Sequence, residues 1–177
     1  MDCSETNSCF PAPSYCEDSK CSQQDEFFNQ LLNHDFINLN AHASSYSFSA
    51  KTNDGWYGVL TSSKLYKNPF NTNPVFSTIG CHSGTIDHGE NKNANVFAFL
   101  ANGASIFVGN TRYGWGSQLT SGLLSKYYLN LRNGQTSGEA IMNMKRKALE
   151  DSDSELYNAA IYEIQLYGDP TLKINME

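Results

Sequence analysis

Pro74-Val-Phe-Ser-Thr-Ile-Gly-Cys81-His-Ser-Gly84 is an apolar, β-branched run that ends in a solitary cysteine followed by small, turn-forming residues. Bounded in this way, it reads as a strand buried on both faces of a parallel sheet. A thiol at its end lies where such a strand opens into a loop, the position at which open α/β sheets place their chemistry. An earlier run with the same grammar, Asp35-Phe-Ile-Asn-Leu-Asn-Ala-His42-Ala-Ser-Ser45, ends in a histidine. If the two strands are neighbours, a thiol and an imidazole meet at one sheet edge, which is the equipment of a cysteine hydrolase.

Outward from these two strands, Ala104-Ser-Ile-Phe-Val-Gly-Asn-Thr111 reads as a third buried strand, and its mouth, Arg112-Tyr-Gly-Trp-Gly116, as a glycine-rich loop holding an aromatic. Helical periodicity appears over 24–34, where His34 stands as a C-terminal partner of the dipole. It returns over 93–101, closed by Asn102-Gly103, and over 119–131, closed by Asn133-Gly134. Thr136-x-x-Glu139 is a capping box for a further helix to about Ala148. Residues 44–73 read as a long functional loop with short strands, and Gly168-Asp-Pro170 as a turn before a last short strand. Strands alternating with helices predict an α/β fold, a mostly parallel sheet with helices on both faces. With three or four strands that sheet is narrow enough to leave an apolar edge, so its first strands are expected upstream in a longer chain, or a partner covers the edge.

At 177 residues the chain suits one domain, expected over 25–177 behind a polar, cysteine-rich lead at 1–24. A net charge of −6 leaves no basic footprint for nucleic acid. No run is apolar for long enough to span a membrane, and no signal peptide is visible. Lys145-Arg-Lys147, the one basic cluster, falls in the second half of a predicted helix and suits its dipole. Cys3, Cys9, Cys16 and Cys21 gather in the lead segment without CxxC pairs. Disulfides, free thiols and a zinc site all stay open for them.

Among the histidines, His82 follows the thiol directly, and neighbours on an extended strand point to opposite faces, so it is a poor base for Cys81. His88 stands in a loop, whereas His42 closes its own strand as Cys81 does. A metal cluster of His42, Cys81, His82, Asp87 and His88 lacks every familiar ligand spacing, and neither a metal nor a cofactor is expected. A Gly-x-Cys-x-Gly elbow is excluded because Gly80 abuts Cys81, and papain-like order is excluded because the histidine comes first. Histidine then cysteine on successive parallel strands is the order of caspase-like peptidases.

Three stretches resemble the gingipain family of cysteine peptidases, which has the caspase-like three-layer αβα fold. They are Ile37-Asn-Leu-Asn-Ala-His42-Ala-Ser44, Phe76-Ser-Thr-Ile-Gly-Cys81-His-Ser-Gly84, and Ala104 to Trp115 followed by Leu166-Tyr-Gly-Asp-Pro-Thr-Leu172. The resemblance implies a cysteine-type endopeptidase acting on peptide or protein substrates, with His42 and Cys81 as the catalytic dyad. It also implies an oxyanion hole from the backbone N–H groups of Ala43 and Cys81, and substrate contacts from Asn40, Ile79 and Trp115. Family members are parts of secreted precursors, so a secreted or cell-surface location is expected. Ala43 replaces the family's usual glycine and is expected to place a methyl group where substrate passes. That departure, with the missing first strands, leaves a second reading open: a catalytically weak or inactive caspase-like domain used for binding or assembly.

Overall fold

The computed structural model describes residues 26–52, 55–87, 94–114, 118–151 and 154–174. A short helix α1 (26–31) leads into strand β1 (Phe36–Asn38), and β5 (Val75–Ser77), β6 (Ile106–Asn110) and β7 (Ile164–Gly168) complete a four-stranded sheet. Its order is β1-β5-β6-β7, with β1, β5 and β6 parallel and β7 antiparallel to β6. The period-2 alternation of each strand divides the core into two halves. Phe76 and Phe107 face one side, with Phe28 and Leu31 of α1 and Phe99 of α3 (Asn95–Ala101). Val75, Ile106 and Val108 face the other, against α4 (Gln118–Arg132), α5 (Ser137–Asp151) and α6 (Glu155–Glu163), which contribute Leu124, Met144 and Ile161. Helices on both faces make the three αβα layers of a caspase-like fold.

Between β1 and β5 the chain builds a second sheet. Strands β2 (His42–Ala43), β3 (Ser47–Thr52) and β4 (Gly55–Thr61) pair antiparallel in that order, and Thr61 then caps the one-turn helix α2 (Ser62–Leu65). The stretch expected as a long loop with short strands thus supplies β3 and β4, which with β2 make a three-stranded sheet, sealed onto the main core by Phe48 and Leu60. Its formation shortens the first parallel strand. β1 ends at Asn38, and His42 lies in β2 rather than at the tip of a parallel strand.

Of the strand expected after Gly168-Asp-Pro170, the described residues hold an isolated antiparallel bridge, Lys173 with Thr136. Strand β7 precedes the turn, because Ile164 and Leu166 face the helical layer and Tyr167 meets Phe107 on the other face. Gly168 ends it at φ 118, where a side chain would strike the Ser105 carbonyl oxygen at 2.3 Å. The Asp169 carboxylate then folds the turn by accepting from the backbone N–H and hydroxyl of Thr171. Carbonyls beyond it take first-turn donors of α5: Gly138 N–H donates to Pro170 and Ser137 N–H to Leu172. The Gly-Asp-Pro turn thus satisfies a helix start.

The capping box forms as read. Thr136 N–H donates to the Glu139 carboxylate at 2.8 Å, and Glu139 N–H donates to the Thr136 hydroxyl at 3.2 Å. Those hydrogen bonds hold the Glu139 carboxyl below its ordinary value. Its contribution is therefore complete above the unfolded-state value and is lost as pH falls through the folded-state one. Urea midpoints of wild type and Glu139→Gln, which keeps an acceptor but no charge, should differ at neutral pH and converge in acid. Other local readings hold as well. His34 Nδ1 meets the Gln30 carbonyl at 2.6 Å at the end of α1, and Asn102 with Gly103 (φ 107) closes α3. The dipole role expected of Lys145-Arg-Lys147 is corrected: α5 runs on to Asp151, its last turn holds no basic residue, and Lys147 pairs with Asp151 at 2.9 Å. Cys3, Cys9, Cys16, Cys21 and His88 lie outside the described residues, and no described helix is long and apolar enough to cross a membrane.

Candidate active site

Beyond Ser77 the chain stays in register for one more residue, Thr78 N–H donating to the Val108 carbonyl at 2.9 Å, and then turns. The Thr78 hydroxyl accepts from Gly80 N–H at 3.0 Å, and the Ser83 hydroxyl donates to the Gly80 carbonyl at 2.9 Å. Cys81 sits at the head of this turn, half-buried, and His82 follows in the left-handed region at φ 55. The turn is fastened to the exit of β6: Gly84 N–H donates to the Asn110 carbonyl, Asn110 N–H to the Ser83 hydroxyl, His82 N–H to the Arg112 carbonyl, and the Thr85 hydroxyl to the Thr111 carbonyl. Arg112 grips Asp87 through both guanidinium nitrogens, at 2.9 and 3.2 Å, which raises its already high pKa. The nucleophile turn and the loop after β6 therefore form one hydrogen-bonded unit.

Two glycines set its distances. A Cβ on Gly80 would lie 2.6 Å from the Ala43 methyl and 2.9 Å from the Ala41 carbonyl oxygen. The residue before Cys81 thus packs directly on the residues either side of His42. A Cβ on Gly114 would lie 1.7 Å from the Ile79 carbonyl oxygen. Its absence lets the Gly114 N–H reach the Cys81 sulfur, N to Sγ 3.4 Å. Sequence reading found the glycine-rich loop but not this donor. The signal was there in Tyr113-Gly-Trp-Gly116, a glycine at a strand mouth being the mark of close backbone approach.

His42 reaches the site from β2, paired with Ser49 of β3. Its ring is largely exposed, and the burial it does undergo holds its pKa below the ordinary histidine value. The turn after it is pinned by buried Asn95, whose side-chain amide donates to the Ser44 carbonyl at 2.8 Å and whose backbone N–H donates to Ser45. Asn95 is a second contributor that periodicity alone could not reveal, because it reads as an ordinary first-turn helix residue. The Ala43 methyl lies against Gly80 and is 3% exposed, so it is packed inside rather than set in the path of substrate. Of the expected substrate contacts, Asn40 is exposed, Ile79 is half-buried and packs on the helical-layer core, and Trp115 lies outside the described residues. His82 is not a strand neighbour of Cys81 but a turn residue, with its ring edge-on to Tyr113 at 5.2 Å. Among the described residues no group of histidine, cysteine and carboxylate side chains could hold a metal ion.

A thiol and an imidazole on touching backbone segments, on a caspase-like sheet, direct the comparison with known proteins toward peptidases. The model of peptidase family C25 matches residues 9–175. The chain belongs to this family, the gingipain family of cysteine peptidases. A solved structure described as "Structure of Protease" shares the fold with a TM-score of 0.51 at 14% sequence identity. It matches 92% of this C25 chain, which spans 38% of the length of that one. No curated protein matches the C25 chain.

Proposed function

We propose that this chain carries the catalytic dyad of a cysteine endopeptidase, with Cys81 as nucleophile and His42 as general acid and base. The packing of Gly80 onto Ala41 and Ala43 is the observation that supports this reading most, because it brings the two functional segments into contact. The Cys81 thiolate attacks the scissile carbonyl carbon, and the carbonyl π electrons move to oxygen. Backbone N–H groups of Cys81 and Ala43 hold that oxyanion, each worth about 3 kcal/mol in comparable sites. His42 gives a proton to the departing amine as the C–N bond breaks, leaving a thioester. The same imidazole then takes a proton from the water that hydrolyses it. Asn40, Ile79 and Trp115 are assigned to the residue before the cut.

A thiol-reactive peptide probe should label the protein at Cys81, and Cys81→Ala should remove both the label and the turnover of a fluorogenic peptide library. His42→Ala should lower kcat by about 10²–10⁴-fold with KM little changed. Labelling that survives Cys81→Ala would move the nucleophile elsewhere. Absence of turnover in the wild type would favour the assembly role instead.

A further inference from the structure

A thiol of ordinary acidity is mostly protonated at neutral pH and needs a partner to become a nucleophile. In many cysteine enzymes that partner is an imidazolium beside the sulfur. Here a backbone amide is aimed at the sulfur, Gly114 N to Cys81 Sγ 3.4 Å. We propose that the Gly114 N–H is itself a catalytic group, which stabilises the Cys81 sulfur as a thiolate before substrate arrives. This role rests on the reading of Cys81 as nucleophile.

The geometry carries the assignment in three respects. Glycine is required at 114, since any Cβ would overlap the Ile79 carbonyl, and close approach of that backbone to the sulfur is the result. The amide is held in place by the hydrogen bonds that fasten the loop to the nucleophile turn at Asn110, Thr111 and Arg112, so it needs no reorganisation when charge forms on sulfur. An N–H bonded to the ionised form favours that form over the protonated one. The thiol proton leaves to water. His42 takes one proton from water before passing it to the amine, so the exchange balances.

His82 meets Tyr113 within the turn, and Arg112 is committed to Asp87, both partners being about half exposed and screened by salt. Glu163 and Tyr167, on the β7 side, bear on Arg112.

The test is iodoacetamide alkylation of the 177-residue chain, mapped to Cys81 by mass spectrometry and followed with pH. Replacing the Gly114 residue by glycolic acid turns the N–H into an ester oxygen without adding a side chain. At about pH 6 this change should slow alkylation about tenfold, and at about pH 10, where any thiol is ionised, it should have no effect. His42→Ala should lower kcat for a peptide by about 10²–10⁴-fold. Equal alkylation rates for ester and wild type at about pH 6 would overturn the assignment. If the ester variant does not fold, the wild type still decides: the Gly114 amide proton shift must follow the Cys81 titration, and a shift that stays constant refutes the proposal. Fast alkylation at low pH without peptide turnover would sink the hydrolase and leave the amide's role standing.

Discussion

Replacing Gly114 by alanine is expected to lower kcat/KM by about 100-fold or more, the cost of displacing a catalytic group by about an ångström. The new methyl carbon would sit 1.7 Å from the Ile79 carbonyl oxygen, 2.8 Å from its carbon and 2.7 Å from the Asn110 side-chain nitrogen. Two of the three are backbone atoms and cannot swing aside, so the loop has to move. Movement takes the N–H away from sulfur and disturbs the turn carrying Cys81. Strain of this kind also costs about 1–3 kcal/mol of stability, which urea unfolding would register. Gly122→Ala is the matched control. It lies on α4 with nothing within 4 Å of its added Cβ, and it should gain about 0.5–1 kcal/mol because alanine is the better helix former. Wild-type kinetics in Gly114→Ala would mean that the loop has no part in the chemistry.

The second large effect is on folding. Phe76, the middle residue of β5, is fully buried. Its ring lies 4.1 Å from that of Phe99, 5.1 Å from Phe107 and 5.6 Å from Phe48. It therefore ties the central strand to helix α3, to strand β6 and to the second sheet at once. Phe76→Ala should cost about 3–5 kcal/mol through lost burial and the cavity left behind, much of the about 5–15 kcal/mol that a domain has. Because the same strand runs on to Cys81, activity should fall with stability, and lowering the temperature should recover part of it. Tyr162→Ala, on a residue 67% exposed, should stay within about 0.5 kcal/mol. A Phe76→Ala loss no greater than that would show that the aromatic cluster is not central to the core.

Much of this was legible in the chain. β5 and β6 announce themselves because a strand buried on both faces must be apolar throughout. The Thr136–Glu139 capping box and the Asn102-Gly103 helix end depend only on residues a few positions apart. The pairing of His42 with Cys81 as candidates came from their common place at the ends of two similar runs. Where the reading missed, contacts distant in sequence decided. The direction of β7 is settled by its seat against β6, with Tyr167 meeting Phe107 and Leu166 facing the helical layer. The second sheet gains its stability by burying Phe48 and Leu60 on a core built elsewhere, which is why residues 44–61 read as a loop with short strands and not as a sheet.

By its pattern alone the sequence determined an α/β sheet with helices on both faces and marked a thiol and an imidazole as candidates, because hydrophobic period and local caps are properties of neighbouring residues. Only the tertiary structure decided that Ala43 turns its methyl inward, that Asn95 pins the turn behind His42, and that Gly114 brings an amide to sulfur. Those facts depend on missing atoms and on backbone groups from segments far apart in the chain, which carry no signature until the segments are packed together.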